Sequence, residues 1–368
     1  MTSIGDEPRP RDDEPGTDLI GPDPSRSLWR GLISLVILVA IVVGLLLAVP
    51  GLHGVGEAVS DMSGGWLALA VGLEILSCIG YVIAFLQVFE RAPVRFGARV
   101  ALSELAFGAA VSLGGAGSAA VGAWLLVERG GPPGRVAERS AVLFLLTSAI
   151  NVITLALAGL GLWTGILPGP SNPLLSAVPA AVGVGVLIGV LLLPRFSERL
   201  AARRTPGRVH RVLLEAANTI RLTERVLFAL DWRTIGAIAF LWCDIGVLAA
   251  CFAAAGPVPP LAALVLAYQI GYLSNLIPIP GNIGVLDGSL VGMLVIYGAS
   301  ATLATAATVV YHAIALWIPA MWGTVAFLIL RRNRHRPLEL RPSREERRQL
   351  RRESSRGSGE TSETGETG

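Results

Sequence analysis

The chain has 368 residues, of which 52% are hydrophobic and only 15% charged, with a formal net charge of +3. Its mean hydropathy is +0.61. A soluble domain carries closer to a quarter charged residues, so this composition excludes an ordinary water-soluble globule and points to an integral membrane protein.

Residues 1–27 are rich in Pro, Gly and acidic side chains and are expected to form a disordered tail. This polar stretch is too long to be the start of a cleaved signal peptide. Apolar segments follow near 30–49, 66–89, 100–127, 141–163, 173–193, 234–255, 260–298 and 302–330. A membrane-spanning helix needs roughly 20 apolar residues, so the chain is expected to be polytopic and all-α. The three cysteines, Cys78, Cys243 and Cys251, lie in these segments without metal-ligand spacing and read as small buried hydrophobes.

Between the fifth and sixth segments, residues 207–230 place apolar Val209, Leu213, Ala216, Ile220, Leu227 and Leu230 at near-helical spacing. Arg208, Arg211, Glu215, Arg221, Glu224 and Arg225 supply a polar face. That pattern predicts an interfacial helix lying on the cytoplasmic membrane surface, a tether rather than a partner-docking element. Residues 333–368 begin arginine-dense and fade into a Gly/Ser/Thr/Glu tail, expected to be disordered. Such a run sits well beside anionic lipid. A nucleic-acid partner is not expected, because no folded basic module accompanies it.

Every basic side chain other than histidine is arginine, and arginine placement sets the topology. The loops 50–65, 164–172, 256–259 and 299–301 hold none, whereas 90–99, 128–140 and 194–233 are rich in it. Both ends of segment 100–127 should therefore be cytoplasmic, and both ends of 260–298 should lie outside. Each segment has a break in its middle: "SLGGAGSAAVG" (112–122) with Gly114, Gly115 and Gly117, and "SNLIPIPGNIGVLDGSL" (274–290). Pro278 and Pro280 remove backbone donors and enforce the second break. We read two re-entrant segments, the second being either a hairpin or two short spans. Broken backbone at membrane depth is tolerated only where it is buried in protein or lines a cavity.

The expected fold is thus all-α, with about six full spans and two Gly/Pro-broken re-entrant segments in an inverted repeat. The transmembrane domain covers 28–332, its repeats cover 28–163 and 173–332, and both termini are cytoplasmic. In such repeats, interrupted segments at matching positions point to a midplane site.

An ionised side chain at the centre of a membrane helix costs roughly 2.5–3.5 kcal/mol on insertion scales, so each one needs a reason. The candidates are Glu74, Glu104, Asp244, Asp287 and His312, accompanied by Asn151, Gln269 and Asn275. With a half-helix starting near Gly284, Asp287 falls in its first turn and either caps that helix or serves a substrate or proton. The same exposed N–H groups of Gly281, Asn282 and Gly284, beyond Pro280, could hold an anion. His312, beside Tyr311, is either a packing residue or a switch. Asp244 and Glu104 find no arginine at their depth, and Glu74 has the weakest case, a contact to the neighbouring repeat. No HExxH, GxSxG, P-loop or CxxC appears, so neither a catalytic centre, a metal nor a cofactor is expected.

The stretch "IPIPGNIGVLDGSLVGMLVIYGASATLATAATVVYHAIALWIP" resembles the end of the lysylphosphatidylglycerol synthase transmembrane region, a family of flippase-like bacterial membrane proteins. That family carries P-x-P-G-G-x-G-x-x-E followed by Y-R-x-x-x-x-W-x-P. The earlier "SLGGAGSAAVGAWLLVERGG" is similar to its G-x-A-G-D-x-x-R-x-x-x-L segment, and with hydropathy the resemblance covers about 29–332. It implies a membrane domain that moves or accommodates a lipid, phospholipid or polyprenyl-linked, in the bacterial cytoplasmic membrane. Full-length members add an aminoacyl-transferase domain, which is not expected in the short stretch after Leu330. The family's acidic residue is met by Asp287 and its span arginine by His312. Its first-break aspartate and arginine fall on small residues near Ala119 and Gly122.

Two functions follow as expectations. The first is translocation of a lipid or lipid-linked substrate through a midplane site built from Asn275, Pro280, Gly281, Asn282, Gly284, Asp287, Tyr311, His312, Gly114, Gly115, Gly117, Glu104 and Asp244. The alternative is a non-transporting scaffold that offers its arginine-rich tail to a cytoplasmic protein partner.

Overall fold

The computed structural model describes residue 33 and residues 53–110, 114–170, 172–202, 208–229, 231–272 and 283–333. Among the described residues the chain is all helix and turn. In order, α1 is His53–Ser60, α2 Gly64–Val88, α3 Val94–Ala110, α4 Gly114–Glu128, α5 Pro133–Trp163 and α6 Pro173–Ala202. Then follow α7 Arg208–Phe228, α8 Thr234–Ala255, α9 Leu261–Tyr272, α10 Ile283–Ile296 and α11 Ala301–Arg332. Five of these are long and apolar enough to cross a membrane: α2, α5, α6 as far as Ser197, α8 and α11. The protein is polytopic. The further span expected near 30–49 lies outside the described residues.

Each of the two expected broken segments contains two described helices. The first holds α3, described as far as Ala110, and α4, described from Gly114, so that residues 114–122 of the expected break are helical. The second holds α9, described as far as Tyr272, and α10, described from Ile283; residues 111–113 and 273–282 lie outside the described residues. Each pair folds back on itself. Gly122 of α4 lies against Glu104 of α3, and Ser289 of α10 donates to the Gly271 carbonyl of α9 at 2.9 Å.

The central contact is the antiparallel pair α2 and α8. Ser77 Oγ donates to the Phe240 carbonyl at 2.8 Å, Gln87 Nε2 to Thr234 Oγ1 at 2.9 Å, and the Ser63 N–H to the Ala254 carbonyl at 3.1 Å. Lipid tails are as apolar as leucine, so membrane helices associate through close packing at small residues. At the crossing, a Cβ added to Gly80 would come 2.7 Å from the Gly236 carbonyl oxygen, and one on Gly236 would come 2.7 Å from that of Gly80. The same device seats α11 on α3, where a Cβ on Gly323 would fall 2.0 Å from the Leu102 carbonyl oxygen.

Arginines gather at one end of this bundle and donate to carbonyls in the last turns of helices, where intrahelical donors run out. Arg129 donates to the Leu330 carbonyl at 3.1 Å, Arg139 to Val88 at 3.2 Å and Arg233 to Leu86 at 3.3 Å. Arg233 is held in turn by Asp231 at 2.9 Å. The loops that sequence analysis groups on one side therefore share one end of the structure. From that end α3 runs inward and α4 returns to it, whereas α9 and α10 enter and leave at the opposite end. There Tyr297 donates to the Leu175 carbonyl at 2.7 Å.

The amphipathic helix α7 packs against α5 and α6, and Asn218 donates to Glu138 at 3.2 Å. Of the expected stripe Ile220 is buried, together with Ala217 and Thr223, and Leu227 is half-buried, while Ala216 is exposed; the side chains at 209, 213 and 230 lie outside the described ones.

Candidate functional site

Among the described residues, a connected group of buried polar side chains lies where α2, α8, α9 and α11 converge. Asp244 of α8 is its centre. The Tyr268 hydroxyl of α9 donates to Asp244 Oδ2, and the Tyr311 hydroxyl of α11 donates to Oδ2 at 3.0 Å and Oδ1 at 3.1 Å. The Tyr272 hydroxyl is 2.6 Å from that of Tyr311. The Tyr311 proton is directed at the carboxylate, so Tyr272 is the donor in this bond. Tyr268 and Tyr272 are four residues apart, hence on one face of α9, and their rings stack with centroids 4.5 Å apart. Asp244 is thus supported by neutral hydroxyl donors where no arginine or lysine lies at its depth, the requirement for a buried acceptor.

The register of α2 against α8 sets Glu74 opposite Asp244, and the two carboxyl groups interact electrostatically. Glu74 is only 5% exposed; one oxygen meets the Cys78 thiol at 3.7 Å. Its other oxygen, Oε2, is buried with no hydrogen-bond partner among the described residues. In the same region the amide nitrogen of Gln269, next to Tyr268, and the hydroxyl of Thr308, one turn before Tyr311, share that condition, as do Gln87 Oε1 and Ser140 Oγ elsewhere in the bundle. Three such groups on three of the converging helices keep polar chemistry there at a cost of about 1–3 kcal/mol each. His312 completes the ring: its imidazole lies 4.9 Å from the Tyr311 ring and interacts electrostatically with Asp244.

Asp244, Tyr311 and His312, expected on sequence grounds, are therefore brought together. Glu104 is not among them. It sits 2% exposed between α3, α4 and α2, where Tyr81 donates to it at 2.7 Å. A Cβ on Gly122 would fall 1.6 Å from its Oε1, so the glycine is what admits the carboxyl group. Gly114, Gly115 and Gly117 open α4. Asn275, Pro280, Gly281 and Asn282 lie outside the described residues, as do the side chains at 284 and 287. Asp287 lies within α10, which is described from Ile283, so its roles as helix cap or as substrate or proton group rest on residues outside the described ones.

Sequence reasoning did not single out Tyr268 and Tyr272 and gave Glu74 the least weight. The Y-x-x-x-Y spacing in α9 was the available signal. The facing of Glu74 and Asp244 depends on the helix register and had none. Among the described residues no group of three or more His, Cys, Asp or Glu could hold a metal ion.

An all-helical polytopic bundle with a carboxylate–tyrosine centre defines the class: an integral membrane protein with a buried polar site. The family model described as the lysylphosphatidylglycerol synthase TM region matches residues 31–323. The chain belongs to that family. It is also similar to a UPF0104 membrane protein of Methanothermobacter thermautotrophicus, 26% identical over 320 residues, covering 78% of this chain and 90% of that protein.

Proposed function

We propose that the protein translocates a lipid or lipid-linked molecule across the cytoplasmic membrane, with the polar headgroup passing the Asp244 centre while the acyl chains stay in lipid. The observation that carries this reading is the Asp244–Tyr268–Tyr311 network at the inner end of the α9–α10 hairpin, beside the orphaned Glu74 oxygen. Moving a polar group through hydrocarbon costs several kcal/mol for each unpaired donor or acceptor. Carboxylate and phenol oxygens lower that cost for headgroups rich in hydroxyl or amine donors.

The reading takes the two halves as an inverted repeat. Supporting it, α2 pairs with α8, α3 packs on α11 and α9 on α5. A tyrosine of α2 meets an acid of α3 in the first half, and an acid of α8 meets a tyrosine of α9 in the second. Reconstitution of the full chain in proteoliposomes carrying fluorescent phospholipids tests the function. Acceleration of lipid exchange over protein-free vesicles is expected; no acceleration with any headgroup overturns it.

A second reading, a scaffold that kept the fold without transport, is favoured by the close packing of Glu104 against Gly122, where even a methyl group would meet the carboxyl. Full complementation of a deletion phenotype by Asp244→Asn, with loss on truncating residues 334–368, would select it.

A further inference from the structure

Glu74 and Asp244 face each other halfway along their helices. Both ends of each helix are described: α2 runs between Ser63 and Phe89, and α8 between Arg233 and Gly256. Roughly 15 Å of helix, at 1.5 Å per residue, separates each carboxyl from the nearer end. Their neighbours come from four helices. Cys78 of α2 itself meets one Glu74 oxygen at 3.7 Å, and Cys243 precedes Asp244 on α8. Helix α9 contributes the hydroxyls of Tyr268 and Tyr272, and α11 contributes Tyr311 and His312. Helices α3 and α5 also pack on α2. Of their charged groups, Glu104 is bonded two turns away at Tyr81, while Arg95, Arg99, Arg135, Glu138 and Arg139 fall in the first two turns of their helices, at the arginine-rich end.

Hydrogen-bond donors are shared unequally between the two acids. Asp244 accepts tyrosine hydroxyls on both oxygens, whereas Glu74 has a thiol, a weak donor, on one oxygen and no partner on the other. Two ionised carboxylates opposed at low dielectric repel strongly, and one proton removes that repulsion. The tyrosines hold the charge on Asp244, so the proton falls to Glu74. A further unpartnered hydroxyl, that of the buried Thr308, is on the α11 face that carries Tyr311 and His312, three and four residues on.

We propose that Glu74 carries one exchangeable proton against the Asp244 carboxylate, and that this proton is the coupling ion for lipid movement. Glu74 takes it from water on one side of the membrane and returns it to water on the other, passing from carboxylate to neutral acid and back with no other bond changed. Buried acids inside membrane bundles serve as proton relays on this principle. The coupling rests on the translocation reading; the proton site itself does not.

Two measurements on the full chain in proteoliposomes separate the claims. Infrared spectra at neutral pH, compared between H2O and D2O, are expected to contain the deuterium-sensitive C=O stretch of a protonated carboxylic acid. That band should survive Glu74→Asp and Glu104→Gln and lose a component in Glu74→Gln. A wild-type spectrum without the band, or an unchanged band in Glu74→Gln, overturns the proton site. The second measurement imposes a pH gradient, with equal sodium on both sides, on vesicles carrying acyl-labelled fluorescent phosphatidylglycerol or phosphatidylethanolamine. One proton per lipid should drive about tenfold asymmetry between leaflets for each pH unit, and Glu74→Gln should show none. Lipid exchange that ignores the pH gradient, or that follows a sodium gradient instead, overturns the coupling. No movement of either lipid removes the translocation reading and the coupling with it, while the infrared band still decides the proton site.

Discussion

The hydroxyl of Tyr311 donates to both carboxylate oxygens of Asp244, at 3.0 and 3.1 Å, and so ties the last long helix of the bundle to α8. Tyr311 is fully buried, and it also accepts from Tyr272, so one phenol links three helices. Removing it strands two groups at once. Tyr311→Phe is expected to destabilise the purified protein by about 1–3 kcal/mol, whereas Tyr272→Phe, which loses one bond, costs about 1 kcal/mol. Thermal unfolding in detergent reads both, and equal effects would contradict the network.

Asp244→Asn keeps the shape of the side chain but turns one acceptor into a donor facing tyrosine hydroxyls. Under the translocation reading, lipid exchange in proteoliposomes falls about tenfold or more, the equivalent of about 1.4 kcal/mol on the barrier. Tyr268→Phe lowers it less. An Asp244→Asn protein that exchanges lipid at the wild-type rate would remove this centre from the path.

Gly122 and Glu104 form a pair suited to a double-mutant cycle. Gly122→Ala puts a methyl group 1.6 Å from Glu104 Oε1, so the carboxyl must leave and its bond from Tyr81 breaks. The single change is expected to cost about 1–3 kcal/mol. In a Glu104→Ala background the same change should cost little, because the clash is gone, and additive costs would show that the two sites do not couple.

At the α2–α8 crossing, Gly80→Leu drives a side chain into backbone only 2.7 Å from the Cβ position. Overpacking of about 1–3 kcal/mol or more is expected. Gly72→Leu, on the same helix with open space around it, serves as control. Comparable loss of folded yield in both would argue against the crossing.

Arg233→Gln removes the bond to the Leu86 carbonyl and the ion pair with Asp231, both partly exposed. The expected loss is about 1 kcal/mol in dilute buffer, shrinking as salt is added. A loss insensitive to salt would assign the effect to packing of the arginine stem instead.

The division of segments 100–127 and 260–298 into paired helices was legible because glycine in the first and proline with glycine in the second interrupt apolar runs, and each segment does hold two packed helices, α3 with α4 and α9 with α10. Grouping loops by arginine content was legible too, although the sequence does not reveal that Arg129, Arg139 and Arg233 close carbonyls of other helices. Tyr268 and Tyr272 passed unnoticed because tyrosines in an apolar run resemble ordinary packing residues until something presents a carboxylate to them. Glu74 looked weakest because its partner is far away in the chain.

The sequence by itself determined the class of protein and, among the described residues, the placement of its apolar helices. Those follow from hydropathy, charge and backbone chemistry, which act locally. Only the tertiary structure decided that Asp244, and not Glu104, gathers the tyrosines, and that Glu74 faces it. That outcome rests on the depth at which Gly80 and Gly236 let two backbones touch, since a shift of one residue along that contact would turn Glu74 away from Asp244.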